Sequence, residues 1–150
     1  MDIRRILVAV DGSANARRAV EWTAGLAQVT GAHVYAVHAL GLLAHRDDGA
    51  LIPAQEVRDE SAERLEREWC APLVEAGVHH ECVVRDGSAM SVILDAADDF
   101  NVDLIVLGSR GLGGYPELLL GSTSTQVAQH ASVPVVIVPD RRGDGAGSDG

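Results

Sequence analysis

Five short apolar runs punctuate the chain, and stretches with a different rhythm separate them. Ile3 to Val10 is β-branched and apolar apart from Arg4-Arg5, the pattern of a central strand buried on both faces. Asp11-Gly12-Ser13 breaks it. Ser13 is placed to cap a helix, and Ala16, Ala19, Val20, Thr23 and Ala27 fall on one helical face, with Gly31 as the stop. Ala32 to Ala39, carrying Val34, Tyr35 and Val37, reads as the second strand. Gly41 to Pro53 reads as a loop with a turn at Arg46-Asp47-Asp48-Gly49. From Pro53-Ala54 onward, Val57, Ser61, Leu65 and Glu68 or Trp69 keep a helical spacing, which predicts an amphipathic helix. Pro72 either kinks that helix or begins a second piece, and Gly77 closes it.

Val78 to Arg85 reads as the third strand, followed by an Asp86-Gly87-Ser88 turn and cap. Val92, Ile93, Ala96 and Ala97 supply the apolar face of the next helix. Val102 to Leu107 is the fourth strand, Thr123 to Ala131 the last helix, and Val133 to Val138 the fifth strand. Pro134 fits the start of that strand or a sheet edge, where a missing donor is tolerated. Strands alternating with helices predict an α/β fold, a single-domain open five-stranded parallel sheet with helices on both faces. Residues 1–140 are expected to form the domain, and the Gly- and Asp-rich residues 141–150 a disordered tail.

Composition narrows the function. The net charge of −10 argues against electrostatically driven binding to nucleic acid or an anionic membrane. Aromatics make up only 3% of residues, so base-stacking platforms are scarce. No apolar run approaches the roughly 18 residues that span a bilayer. The N-terminus runs straight into a strand without a signal-peptide core, which points to the cytoplasm. All 12 positive side chains are Arg, which excludes a Walker-type loop, since that loop needs its Lys. Cys70 and Cys82 lack metal-ligand spacing and read as reduced thiols acting as small buried apolar residues. The six histidines contain no HExxH or i, i+4 pair, and no metal site is expected. Trp22 and Trp69 read as packing anchors on helices.

The segment Gly108 to Ser122 carries the chemistry. It follows a buried strand, is rich in glycine, and ends at Ser122-Thr123-Ser124-Thr125, a cluster able to open a helix. Glycines let backbone N–H groups approach a ligand closely, and a helix N-terminus attracts anions, so a phosphate site is expected here. In a 3-2-1-4-5 strand order, Asp11-Gly12 and Gly108-Gly111 would share the mouth of one crevice at the topological switch.

The spacing Gly108-x2-Gly111-x9-Gly121-Ser122, flanked by Leu104-Ile105-Val106-Leu107 and Val133-Pro134-Val135-Val136-Ile137-Val138, resembles the nucleotide-binding signature of the universal stress protein family. Ile6-Leu7-Val8-Ala9-Val10-Asp11-Gly12-Ser13 is similar to the family's opening strand and turn. The resemblance implies ATP binding, as in the ATP-binding branch, sheet order 3-2-1-4-5, and homodimers through the last strand, 133–138. Carried over by position, Ala9, Val10 and Asp11 would lie by the nucleoside, and Ala39 would wall the adenine. Leu107, Gly108, Arg110 and Gly111 would border ribose and phosphates. Gly121, Ser122, Thr123 and Ser124 would face the triphosphate, with Mg²⁺ accompanying it. The chain departs from the family inside the nine-residue spacer. Tyr115-Pro116-Glu117 places a carboxylate where a basic or small residue is usual, which weakens the expected ATP affinity rather than the fold.

No catalytic motif accompanies this stretch. A Gly-x-Ser-x-Gly elbow is absent, and the pairs Asp47-Asp48 and Asp98-Asp99 read as solvated surface. Three functions stay open: a nucleotide-dependent stress-response switch, an interaction module of the same fold that binds no nucleotide, and a slow ATPase or self-phosphorylating enzyme.

Overall fold

Ile6, Leu7 and Val8 are fully buried because their strand lies in the middle of a sheet that is covered on both sides. The computed structural model describes residues 2–41, 54–110 and 120–140. In chain order these form β1 (Arg5–Ala9), α1 (Ala14–Thr30), β2 (His33–Ala39), α2 (Ala54–Arg64), α3 (Ala71–Glu75), β3 (His80–Arg85), α4 (Ala89–Asp99), β4 (Leu104–Gly108), α5 (Ser122–His130) and β5 (Val135–Val138). A π-helical turn at Leu65–Trp69 joins α2 to α3. The sheet order is β3-β2-β1-β4-β5, with every neighbouring pair parallel, as the sequence reading anticipates.

Alternation along the strands builds two aliphatic layers. Ile6, Val8, Val10, Val34, Ala36, Leu104 and Val106 pack with Ala19, Val20 and Leu73 on the α1–α3 face. Leu7, Val37, Ile105 and Leu107 pack with Val92, Ile93, Ala96 and Val127 on the α4–α5 face. Burying each Val, Leu or Ile side chain contributes about 1.5–3 kcal/mol, so a mainly aliphatic core suffices with few aromatics at its margins.

Local signals account for the element ends. The Ser13 hydroxyl accepts from the Ala16 N–H at 3.1 Å and caps α1. Gly31 ends α1 at φ +75°, with its N–H donating to the Ala27 carbonyl at 2.8 Å. Pro72 begins a second helical piece, α3, rather than kinking one long helix, and the π-helical turn absorbs the break. Several strands are shorter than their apolar runs. β1 begins at Arg5 and β5 at Val135, yet the ladder reaches beyond both. His33 N–H donates to the Arg4 carbonyl, Val10 N–H to Val37, and Ile105 N–H to the Pro134 carbonyl. Pro134 has no N–H of its own, so β5 proper starts after it. The last helix starts at Ser122 and ends at His130, one residue earlier at each end than its apolar spacing suggests.

Among the described residues no helix is long and apolar enough to cross a membrane. The expected loop after Gly41, the segment Gly111 to Leu119 and the tail 141–150 lie outside the described residues.

Candidate functional site

Three chain reversals meet at the carboxyl ends of β1, β4 and β5. At the first, the Val10 N–H donates to the Val37 carbonyl at 2.9 Å, and the Val10 carbonyl lies 2.7 Å from His38 Nδ1. Asp11 Oδ1 accepts the Ser13 N–H at 2.9 Å, closing a tight turn around Gly12. Gly12 sits at φ +85°, and a Cβ there would fall 2.8 Å from Trp69 Cζ2. Backbone conformation and space therefore both demand glycine. The indole of Trp69 walls this turn. Its ring centre lies 5.0 Å from that of His38, and the Arg64 guanidinium carbon lies 4.9 Å from the indole ring centre.

The second reversal leaves β4 through Gly108, Ser109 and Arg110. A Cβ on Gly108 would lie 2.6 Å from Asn15 Oδ1, so the missing side chain is what lets Asn15 approach the strand end. Asn15 is 5% exposed although it lies in the first turn of α1. Its Nδ2 donates to the Val138 carbonyl at 3.1 Å, and its Oδ1 accepts the Arg110 N–H at 2.7 Å. One amide thus binds the start of α1 to the ends of both β4 and β5. Ser109 is buried as well and works in three directions. Its N–H donates to the Val138 carbonyl at 2.9 Å, its carbonyl accepts the Gly121 N–H at 2.6 Å, and its hydroxyl accepts the Asp140 N–H at 3.1 Å.

The third reversal opens α5. Gly121 is its N-cap and offers no side chain to the first-turn donors. The neighbouring hydroxyls turn backwards instead. Ser124 Oγ is 3.1 Å from the carbonyls of both Ser109 and Gly121, and Thr125 Oγ1 donates to Gly121 at 2.9 Å. The amides of a helix start carry partial positive charge and are ready-made anion donors. Arg110, the residue after Ser109, carries a cation. Its side chain is 8% exposed, with Nε 3.9 Å from Asp140 Oδ2.

The anticipated residues fall into two groups. Leu107 and Gly108 end β4, Arg110 follows two residues on, and Ser109 between them bonds directly to Gly121 and Ser124. Ser122 and Thr123 form the first turn of α5. Ala9, Val10 and Asp11 end β1, and Asn15, in the helix that follows, links that turn to the β4 joint. Ala39 stands one strand away at the end of β2, on the α4–α5 face shared by Ala9 and Leu107. Gly111 and Tyr115-Pro116-Glu117 lie outside the described residues. Asn15, Ser109 and Asp140 escape the sequence reading. A polar residue in the first turn of a helix and a serine after a strand look like ordinary surface. Their signal is burial, which sequence alone does not carry. Trp69 is a packing anchor as expected, but the partner it packs on is the Gly12 turn.

Residues 2–139 match the universal stress protein family. A universal stress protein from Thermus aquaticus is 36% identical over 136 residues, covering 90% of this chain and 98% of the relative. A universal stress protein solved in complex with cAMP superposes with a TM-score of 0.70 at 25% identity, covering 92% of this chain and 98% of that one. The Archaeoglobus fulgidus universal stress protein in complex with dAMP gives a TM-score of 0.61 at 27% identity, covering 92% and 99%. The fold, the spacing of the glycine signature and these likenesses agree: the chain belongs to the universal stress protein family.

Proposed function

We propose that this protein binds an adenine nucleotide, with Mg-ATP as its ligand, at the carboxyl ends of β1 and β4, and acts as a nucleotide-dependent stress-response switch in the cytoplasm. The observation that carries the reading is the Asn15–Ser109 joint. It holds the start of the glycine-rich segment against an α5 N-terminus whose N-cap, Gly121, has no capping side chain. Relatives solved with cAMP and dAMP support an adenine ligand.

In this reading Ala9, Val10, Asp11 and Ala39 surround the nucleoside, and Leu107, Gly108, Arg110 and Gly111 border the ribose and phosphates. Gly121, Ser122 and Thr123 present N–H groups to the phosphates. Ser124 serves from behind, because its hydroxyl is spent on the Ser109 and Gly121 carbonyls. Among the described residues no group of three or more His, Cys, Asp or Glu side chains is arranged to hold a metal ion. In this reading magnesium enters on the phosphates. Dimerisation belongs to the same proposal: β5 is an edge strand, and pairing with its copy would cover an apolar edge.

Native mass spectrometry of freshly purified protein tests the reading. A dimer carrying adenine nucleotide supports it. A bare chain whose melting temperature ignores millimolar Mg-ATP rejects nucleotide binding and favours the plain interaction module. The Arg110–Asp140 pair is the observation on that module's side, since Asp140 offsets the charge of a proposed phosphate-bordering residue.

A further inference from the structure

Cys70 and Cys82 come from different layers of the fold. Cys70 follows the π-helical turn and leads into α3, whereas Cys82 lies in β3, an edge strand. Both are free thiols, and their Sγ atoms are 3.3 Å apart. Cys70 is fully buried, while Cys82 is half-buried. The contact makes the two thiols unequal. Either sulfur can donate across the contact, but a Cys82 thiolate accepts the Cys70 S–H, which lowers the Cys82 pKa despite burial and the Glu66 carboxylate. The same hydrogen bond, then burial, then the charges of Cys82 and Glu66, push Cys70 far up. Burial therefore disfavours the charge more at Cys70 than at the half-buried Cys82, which makes Cys82 the favoured site of ionisation in the pair.

We propose that Cys70 and Cys82 form an intramolecular redox pair, which a hydroperoxide closes to a disulfide that clamps the α2–α3 junction onto β3. The Cys82 thiolate attacks one peroxide oxygen, and the O–O bond breaks. Cys82 becomes a sulfenic acid, and the departing hydroxide takes a proton from solvent to leave as water. Cys70 then gives up its proton and attacks the Cys82 sulfur. The S–S bond forms as the S–O bond breaks, and the hydroxyl leaves with a proton as a second water. Two electrons pass from the two sulfurs to hydrogen peroxide, and a dithiol reverses the change.

The clamp has a mechanical consequence. Closing the 3.3 Å contact to a bond of about 2.05 Å draws Cys70 toward β3. Trp69 is the preceding residue and packs on Gly12, so the movement is delivered to the turn after β1. This proposal does not depend on nucleotide binding.

The full chain is treated with hydrogen peroxide, then analysed by thiol counting and peptide mass spectrometry. The expected product has lost two hydrogens, carries a Cys70–Cys82 cross-link within one chain, and regains both thiols with dithiothreitol. Cys70→Ser should stop at a Cys82 sulfenic acid that dimedone traps, while Cys82→Ser should leave Cys70 unoxidised. Two surviving thiols, or sulfinic acid or interchain dimers as the sole products, would overturn the pair. The mechanical part is read from Trp69 emission in a Trp22→Phe background, since these are the only two tryptophans. A shift on oxidation that reverses on reduction and is absent in Cys82→Ser supports it; an unchanged spectrum overturns it.

Discussion

The Asn15 side-chain oxygen accepts the Arg110 N–H at 2.7 Å, joining residues 95 positions apart in the chain. The other half of the same amide reaches the Val138 carbonyl. Removing it takes the Asn15 acceptor from the half-buried Arg110 N–H, while the Val138 carbonyl keeps the Ser109 N–H; a buried polar group that loses its partner costs about 1–3 kcal/mol. Asn15→Ala is therefore expected to lose about 1–3 kcal/mol of stability. A urea titration measures this, and hydrogen exchange should show the Arg110 amide losing its protection. An unchanged urea midpoint would mean that the amide does not hold the joint.

Glycine substitutions separate crowding from backbone strain. Gly108→Ala places a methyl 2.6 Å from Asn15 Oδ1 and must displace that amide, at an expected cost of about 1–3 kcal/mol. Gly12→Ala adds a φ of +85° to a 2.8 Å approach to Trp69 and should cost more. Gly31→Ala has a similar φ of +75° but open space around it, so only the strain of about 1–2 kcal/mol remains. Parallel melts of the three variants should rank them Gly12, Gly108, Gly31, from the most to the least destabilised. Gly31→Ala proving the worst would contradict the packing described at the strand ends.

Asp103 sits at the other end of the sheet and gives the fold an acid dependence. Its Oδ2 accepts the N–H groups of Arg4 at 2.8 Å and Arg5 at 3.0 Å, and these bonds lower its pKa below the ordinary carboxylate value. A pKa depressed by folding contributes stability that is present above the unfolded value. That contribution disappears as pH falls through the folded one. Asp103→Asn should thus be less stable than the parent at neutral pH, and its stability should change less with pH below about 4. Denaturant midpoints across that range provide the check; parallel curves for the two proteins would exclude Asp103 as a source of acid sensitivity.

The sheet was readable because its strands are aliphatic runs of a length and β-branching that few other structures accommodate. Gly31 and Gly77 at positive φ, and Ser13 and Ser88 as caps, mark helix ends by local chemistry alone. The glycine spacing from Gly108 to Gly121 was legible for the same reason: the backbone must pass close to something there. What stayed hidden depends on contacts between distant parts of the chain. Asn15 looks like any polar residue in a first helical turn until Val138 and Arg110 are brought to it. Trp69 gains its role only when the π-helical turn swings the indole over Gly12, and the thiol pair only when β3 aligns beneath Cys70. Strand limits moved by one or two residues because the hydrogen-bond ladder continues past the regular backbone, as at Val10 and Pro134.

Adenine-nucleotide binding is tested most directly by isothermal titration of the nucleotide-free protein with AMP, cAMP and Mg-ATP, with GTP as the control. The predicted result is saturable heat for adenine nucleotides at about one per chain, Mg-ATP included, and little for GTP. A folded protein that produces no heat with any adenine nucleotide at millimolar concentration would contradict the proposed site.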